Sequence, residues 1–100
     1  MGIPIAADES IRKADDPLAV AQAVAADILV LKAQPLGGIS SIVELAQQVS
    51  LPVVISSALE SSVGISMGLH AAAALPAEEF DCGLGTASLL AADVTRKPLV

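Results

Sequence analysis

The sequence predicts an α/β fold in which short buried strands alternate with helices, and three observations carry that prediction. Ile28–Leu31 is an apolar run without polar alternation, which is typical of a strand buried on both faces of a parallel sheet. Ile39–Val49 repeats apolar side chains at helical spacing. Asp8, Lys32 and Ser56 lie 24 residues apart, each where a predicted strand gives way to a loop. A repeat of this length indicates consecutive βα units.

The elements before the central strand are short. Ile3–Ala7 is predicted to be a strand, and the polar residues 11–15 are predicted to form a loop. Asp16 is a suitable N-cap and Pro17 suits the first helical position, so a helix is expected from there to about Ala26.

The strand Ile28–Leu31 ends at Lys32, and Gly37 and Gly38 mark the loop that follows it. A charge beside a buried strand is costly unless it stands at the mouth of the strand or is paired, so Lys32 is expected at the carboxyl end. The later predicted elements are helix Ile39–Val49, strand Val53–Ile55, helix Ser62–Leu75, strand Phe80–Cys82 and a short helix Ala87–Ala92.

Four βα units amount to half of a (β/α)₈ barrel, which takes eight units over roughly 200 residues or more. We expect residues 1–93 to form this half and residues 94–100 to form a tail. Half a barrel leaves open sheet edges and an apolar interior, so we expect it to pair with a missing N-terminal half or with an oligomer partner.

Composition limits the classes of partner. The formal net charge is −6, which argues against nucleic acid and against an anionic membrane surface. A single cysteine excludes an internal disulfide and a cysteine-based metal cluster. No apolar run approaches the roughly 18 residues that span a membrane, and we expect a cytoplasmic setting.

Asp8 and Lys32 are the candidate functional residues, because barrels carry their chemistry at the carboxyl ends of the strands. Each also has an ordinary interpretation. By position alone, Asp8 fits better a loop carboxylate that caps a turn or pairs with Arg12, and a lysine at a strand end is usually solvated. Residue types alone leave these alternatives open.

Four ordered motifs resemble the fifth to eighth βα units of the enolase superfamily, in its muconate-lactonizing branch. They are Ala-Asp-Glu-Ser at residues 7–10, Val-Leu-Lys at 30–32 with Pro-Leu-Gly-Gly at 35–38, Val-Ile-Ser-Ser-Ala-Leu-Glu-Ser-Ser-Val-Gly at 54–64, and Gly-Leu-Gly-Thr at 83–86. The third motif narrows the resemblance to members that dehydrate a hydroxycyclohexadiene carboxylate in menaquinone biosynthesis.

The resemblance implies a Mg²⁺ ion held by three carboxylates, of which Asp8 matches the third. It implies that Lys32 is catalytic and faces the enediolate formed when a proton leaves the carbon beside the substrate carboxylate. A divalent cation and an ammonium group both stabilise that negative charge. The positions that match substrate-binding residues are Ser56, Ser57, Gly83, Leu84, Gly85 and Thr86.

The other two metal carboxylates and a Lys-x-Lys pair have no match in these 100 residues. We therefore expect the isolated chain to bind Mg²⁺ weakly and to be inactive, since one carboxylate holds Mg²⁺ poorly. An N-acylamino acid racemase or a cycloisomerase of the same superfamily, or a catalytically inactive half-barrel, remain alternatives. The roles of Glu60 and Asp81 stay open.

Overall fold

The computed structural model describes residues 2–12, 16, 18–19, 23, 26–76 and 80–99. Strands and helices alternate over most of this part. The elements are β1 Ala6–Ala7, α1 Glu9–Arg12, β2 Ile28–Leu31, α2 Ile39–Gln48, β3 Val53–Ile55, α3 Ser62–Ala74 and a 3₁₀-helix Thr86–Leu89.

The three strands form one parallel sheet in the order β1-β2-β3, as the apolar strand pattern predicted. Leu29 pairs with Val53 and Leu31 with Ile55, so this register follows the 24-residue repeat. Ala6 pairs with Ile28, which places β1 on the other side of β2.

The core lies between the sheet and its helices. Leu29, Leu31 and Ile55 are fully buried on the face of the sheet that the helices cover, together with Ile42 of α2 and Ile65 of α3. Side chains alternate between the two faces of a strand, so the residues after Leu31 and Ile55 turn toward the opposite face. That alternation directs the polar residues at the strand ends away from the helices.

The predictions for β2, β3, α2 and α3 are confirmed to within one residue at each end. The predicted strand Phe80–Cys82 is wrong, because these residues lack sheet pairing. Pairing comes one residue later, where Gly83 forms an isolated parallel bridge with Ser56. The predicted helix Ala87–Ala92 is a 3₁₀-helix that ends at Leu89, in keeping with the short length of 3₁₀ segments.

The predicted loop at residues 11–15 is wrong at its start, because Ile11 belongs to α1 and is fully buried. Ile11 belongs to the core cluster, and its burial stabilises this turn against the sheet. The predicted helix from Asp16 to Ala26 lies largely outside the described residues. Within the described part, the Asp16 carboxylate accepts a hydrogen bond from the Leu18 N–H at 2.9 Å, as an N-cap does. No described helix has the length and apolar character needed to cross a membrane.

Candidate active site at the carboxyl ends of the strands

Asp8 and Lys32 meet at the carboxyl edge of the sheet. Asp8 follows β1 and Lys32 follows β2, and the Lys32 Nζ lies 2.9 Å from the Asp8 Oδ2. The side chains are 34% exposed for Asp8 and 13% exposed for Lys32, so the ion pair is partly removed from water. The expectation that the two groups converge is thus confirmed, and Lys32 is neither solvated nor isolated.

The second oxygen of Asp8 is unusual. Among the described residues, Asp8 Oδ1 is a buried side-chain oxygen with no hydrogen-bond partner. A buried carboxylate oxygen without a partner carries a free-energy cost unless something binds it. A hard divalent cation that prefers oxygen ligands fits this atom.

Asp8 is, however, a single ligand. Within the described ranges, no three histidine, cysteine, aspartate or glutamate side chains come together as a metal-binding group. The described residues therefore do not form a complete Mg²⁺ site by themselves.

Ser56 and Ser57 extend the same edge beyond β3. The Ser57 N–H donates to the Gly83 carbonyl at 2.9 Å, and the Ser56 hydroxyl lies 3.2 Å from the same oxygen. The Ser57 hydroxyl is 2.7 Å from the Thr86 Oγ1, and the Thr86 hydroxyl donates to the Ala58 carbonyl at 3.0 Å. The Ser57 hydroxyl also lies 3.3 Å from the Gly83 carbonyl, so either hydroxyl can be the donor in the short contact between Ser57 and Thr86.

This hydrogen-bond chain joins the segment after β3 to the segment that carries Gly83. Ser57 is 6% exposed, and its hydroxyl bonds to protein atoms, whereas Ser56 is half-buried. Ser56 is consequently the more accessible of the two predicted substrate-binding serines.

The remaining predicted substrate-binding positions, Leu84 and Gly85, differ in their surroundings. Leu84 packs toward α3, where an added Cβ on Gly68 would lie 2.8 Å from the Leu84 Cδ2. Gly85 is exposed and precedes the 3₁₀-helix, with open space around its Cα. The structure thus gathers Asp8, Lys32, Ser56 and Gly83 at one edge, and it turns the Leu84 side chain toward the helix layer.

Glu60 adds a second carboxylate near Lys32. Partial burial raises the pKa of the Glu60 carboxyl above its ordinary value, while a hydrogen bond with the Ala58 backbone and the positive charge of Lys32 act in the opposite direction. Glu60 lines a cavity of about 560 Å³ together with Gln34, Gly38 and Met67. The loop after β3 therefore brings a negative charge into the field of Lys32.

Sequence reasoning missed Asp93. The backbone N–H of Ser62, at the start of α3, donates to both carboxylate oxygens of Asp93, at 3.1 and 3.0 Å. The hydroxyl of Ser62 donates to Asp93 Oδ2 at 2.6 Å, and these bonds lower the pKa of the Asp93 carboxyl. No local pattern reveals a partner 31 residues away, although an aspartate ahead of Val-Thr is a recognisable turn signal.

The arrangement has a clear chemical capacity. An ammonium group, a carboxylate oxygen free to bind a cation and a half-buried serine hydroxyl lie at the strand ends. Together they suit a small molecule that bears a carboxylate and gains negative charge as it reacts.

Comparison with known proteins identifies the family of the chain. The family described as enolase C-terminal domain-like matches residues 1–100. The chain belongs to this family.

Two curated relatives are o-succinylbenzoate synthases. The chain is 63% identical over 97 residues to the synthase of Mycobacterium leprae, which covers 97% of this chain and 29% of the relative. It is 63% identical over 92 residues to the synthase of Mycobacterium tuberculosis, which covers 92% of this chain and 28% of the relative. The chain thus spans less than a third of the length of these relatives.

Solved structures give the same family. A muconate cycloisomerase variant aligns over 95% of this chain and 27% of its own, with a TM-score of 0.81 and 28% identity. A mandelate racemase/muconate lactonizing protein from Herpetosiphon aurantiacus aligns over 91% of this chain and 26% of its own, with a TM-score of 0.73 and 29% identity.

Proposed function

We propose that this chain is part of an o-succinylbenzoate synthase. The reaction is the dehydration of 2-succinyl-6-hydroxy-2,4-cyclohexadiene-1-carboxylate to 2-succinylbenzoate, a step in menaquinone biosynthesis. The observation that carries the proposal is the Asp8–Lys32 pair at the carboxyl edge of the sheet, with one Asp8 oxygen free to bind a cation. The 63% identity to synthases of two mycobacteria supports this substrate over others of the superfamily.

In this proposal the residues have distinct roles. An acid/base lysine from the rest of the barrel would take the proton beside the substrate carboxylate to give an enediolate, and loss of the neighbouring hydroxyl group as water, with a proton, then creates the aromatic ring. The Lys32 ammonium is the catalytic group that faces the enediolate and stabilises its charge, in a setting where 13% exposure limits competition from water. Ser56 binds the substrate carboxylate beside the buried Ser57, whose hydroxyl bonds to protein atoms, and Gly83, Leu84, Gly85 and Thr86 lie near the succinyl chain.

Asp8 would hold the Mg²⁺ ion through its free carboxylate oxygen. When bound, the ion supplies Lewis-acid stabilisation of the substrate carboxylate as it gains charge. Lys32 occupies the other Asp8 oxygen and so orients that carboxylate. Since no three metal-ligating side chains come together in the described residues, the proposal requires other carboxylates to complete the site.

The proposed whole is a (β/α)₈ barrel in which this chain contributes strands five to eight. The remaining strands, in the same polypeptide or in a partner, would supply the missing carboxylates and the Lys-x-Lys pair. The net charge of −6 favours a small-molecule substrate over nucleic acid or an anionic membrane, and a cytoplasmic location is part of the proposal.

An activity assay tests the proposed function. The complete barrel that contains these residues is incubated with the cyclohexadiene substrate and Mg²⁺, and the formation of 2-succinylbenzoate is followed by its ultraviolet absorbance. We expect 2-succinylbenzoate to form only in the presence of Mg²⁺, and its formation to stop when excess chelator is added. Absence of product from folded, Mg²⁺-loaded protein would refute the assignment.

The same preparation separates the alternatives. An N-acylamino acid racemase or a cycloisomerase would exchange the α-proton of its own substrate with solvent deuterium without net dehydration, which NMR detects. A catalytically inactive half-barrel would do neither, in the complete protein or alone. The proposed synthase dehydrates its substrate far faster than it exchanges an acylamino acid proton.

A further inference from the structure

The loop Ala58–Ser61, which we call the β3α3 loop, is tied at both ends to the segment 83–99. At its first end, Thr86 donates to the Ala58 carbonyl at 3.0 Å. At its far end, the backbone N–H of Ser62 donates to both carboxylate oxygens of Asp93. A four-residue loop pinned at both ends has little conformational freedom left.

The Asp93 connection takes the place of a local cap. Helix α3 begins after Ser61, and the Ser61 side chain makes no capping hydrogen bond. The free N–H groups at a helix start need acceptors, and a carboxylate is the best acceptor there because of the helix dipole. Asp93 supplies that acceptor from another segment of the chain.

The connection involves a buried serine and is reinforced by further hydrogen bonds. Ser62 is 3% exposed, and its hydroxyl donates to Asp93 Oδ2 while it accepts the Leu99 N–H at 2.8 Å. The Val94 N–H donates to Asp93 Oδ1 at 2.7 Å, which fixes the carboxylate to its own turn. The position of α3 therefore depends on a network that is well removed from Lys32 along the sequence.

The β3α3 loop brings Glu60 into the field of Lys32. An added Cβ on Gly64 would lie 3.0 Å from both the Cβ and the Oε1 of Glu60, so the Glu60 side chain rests directly on the first turn of α3. A displacement of that first turn moves Glu60, which lines the cavity that it shares with Gln34 and Gly38.

We propose that Asp93 is a positioning residue of the dehydration reaction, which holds the β3α3 loop against the carboxyl ends of the strands through Ser62. This inference rests on the proposed function. Asp93 acts through Ser62 and the loop, so its loss is expected to weaken substrate binding more than the chemical step, because Asp8 and Lys32 stand on other strands.

The test uses the complete barrel with three substitutions. Asp93→Ala removes both acceptors, Asp93→Asn keeps one oxygen for the Ser62 N–H, and Asp27→Ala is the matched control. Asp27 is an exposed aspartate that, like Asp93, accepts a backbone N–H, that of Ile5 at 2.8 Å, but it lies at the opposite end of the sheet. Hydrogen–deuterium exchange of the peptide spanning residues 57–64 is measured beside KM and kcat.

We expect Asp93→Ala to speed exchange in that peptide at least tenfold and to raise KM about tenfold, with kcat changed less than threefold. Asp93→Asn should restore most of the wild-type exchange rate and KM, and Asp27→Ala should leave both quantities within twofold of wild type. Unchanged exchange in Asp93→Ala, or faster exchange with an unchanged KM, would overturn the positioning role.

Two further readouts keep the test decisive. If Asp93→Ala does not fold, Ser62→Ala is used instead, because it removes the hydroxyl and keeps the backbone contact with Asp93. We expect it to raise the exchange rate and KM by smaller factors than Asp93→Ala. An unchanged exchange rate and KM would again overturn the inference. Exchange needs no substrate, so it reports on the loop even if the wild-type protein fails to dehydrate the cyclohexadiene carboxylate, a result that would refute the proposed function alone.

Discussion

At the scale of single residues, the two oxygens of Asp8 have separate tasks. Oδ2 bonds to the Lys32 ammonium at 2.9 Å, and Oδ1 is buried without a partner among the described residues. Lysine thus neutralises and orients the carboxylate while one oxygen remains available to a cation.

The Asp8 carboxylate is expected to dominate the contribution of this chain to Mg²⁺ binding. In the complete barrel, Asp8→Asn should weaken Mg²⁺ about tenfold or more, because an amide replaces a charged oxygen ligand. Isothermal titration calorimetry measures the affinity. Glu44→Gln, which removes an exposed charge from α2, is the control and should leave it unchanged. Equal affinities for Asp8→Asn and wild type would rule out Asp8 as a ligand.

Sequence reasoning captured this pair for a physical reason. The apolar run Ile28–Leu31 defines a buried strand, and a charge directly after it must stand at the strand end. The same 24-residue spacing locates Ser56 at the end of β3. The positions of Asp8, Lys32 and Ser56 at the carboxyl ends of the strands could therefore be predicted from the sequence. Asp93 was not, because its partner Ser62 is distant in sequence and only tertiary packing brings the two together.

At the scale of elements, the loop before α2 depends on its glycines. Gly38, the N-cap of α2, has φ 115° and ψ −172°, a backbone region that is essentially restricted to glycine. Its carbonyl accepts the Ile42 N–H at 3.3 Å, so this conformation sets where α2 starts.

Gly38→Ala should lower the free energy of unfolding by about 1–3 kcal/mol. The cost is backbone strain and not a clash, because the nearest atom to an added Cβ is Met67 Cε at 3.9 Å. Urea unfolding measures it. Gly85→Ala is the matched control, since Gly85 has φ −93° and open space around it. If both variants lost the same stability, strain at Gly38 would not be the cause.

The short elements mark the limit of sequence prediction. A three-residue run with a charged residue at its centre, as at Phe80–Cys82, carries too little pattern to distinguish a strand from a turn, whereas the uniformly apolar runs of β2 and β3 do not have this ambiguity. The residue of this segment that pairs with the sheet is the one that lies opposite Ser56, and that residue is Gly83. Ile11 shows the same limit, because one buried side chain decides the conformation of α1.

At the scale of the whole molecule, the segment 93–99 couples the start of α3 to pH. Hydrogen bonds from Ser62, Val94 and Thr95 lower the pKa of Asp93 in the folded state. A lowered folded pKa stabilises the protein at pH values above the unfolded pKa of about 3.9, and the stabilisation is lost as the pH falls toward the folded pKa.

Stability should therefore decline more steeply below about pH 4 in the wild type than in Asp93→Asn. Thermal unfolding followed by circular dichroism from pH 6 to pH 2.5 measures the two curves. The raised pKa of Glu60 changes the pH dependence of stability in the opposite direction. This contribution is the same in both proteins and cancels when the two curves are compared. Parallel curves below pH 4 would contradict the role of Asp93.

The open sheet has a consequence for the chain in isolation. Ile3, Ile5, Leu59 and Val63 are exposed apolar side chains, and an uncovered sheet edge invites pairing. We expect the isolated 100-residue chain to self-associate in light scattering and to bind Mg²⁺ weakly. A stable monomer with tight Mg²⁺ binding would contradict the half-barrel proposal.

The central claim is that the Lys32 ammonium stabilises a negatively charged intermediate beside Asp8. Its most direct test is the turnover number of Lys32→Ala in the complete barrel, with Lys97→Ala, an exposed lysine, as control. The account predicts a loss of kcat on the order of 10²–10³-fold for Lys32→Ala and none for Lys97→Ala, with folding retained in both. A Lys32→Ala protein that kept its kcat within threefold of wild type would contradict it.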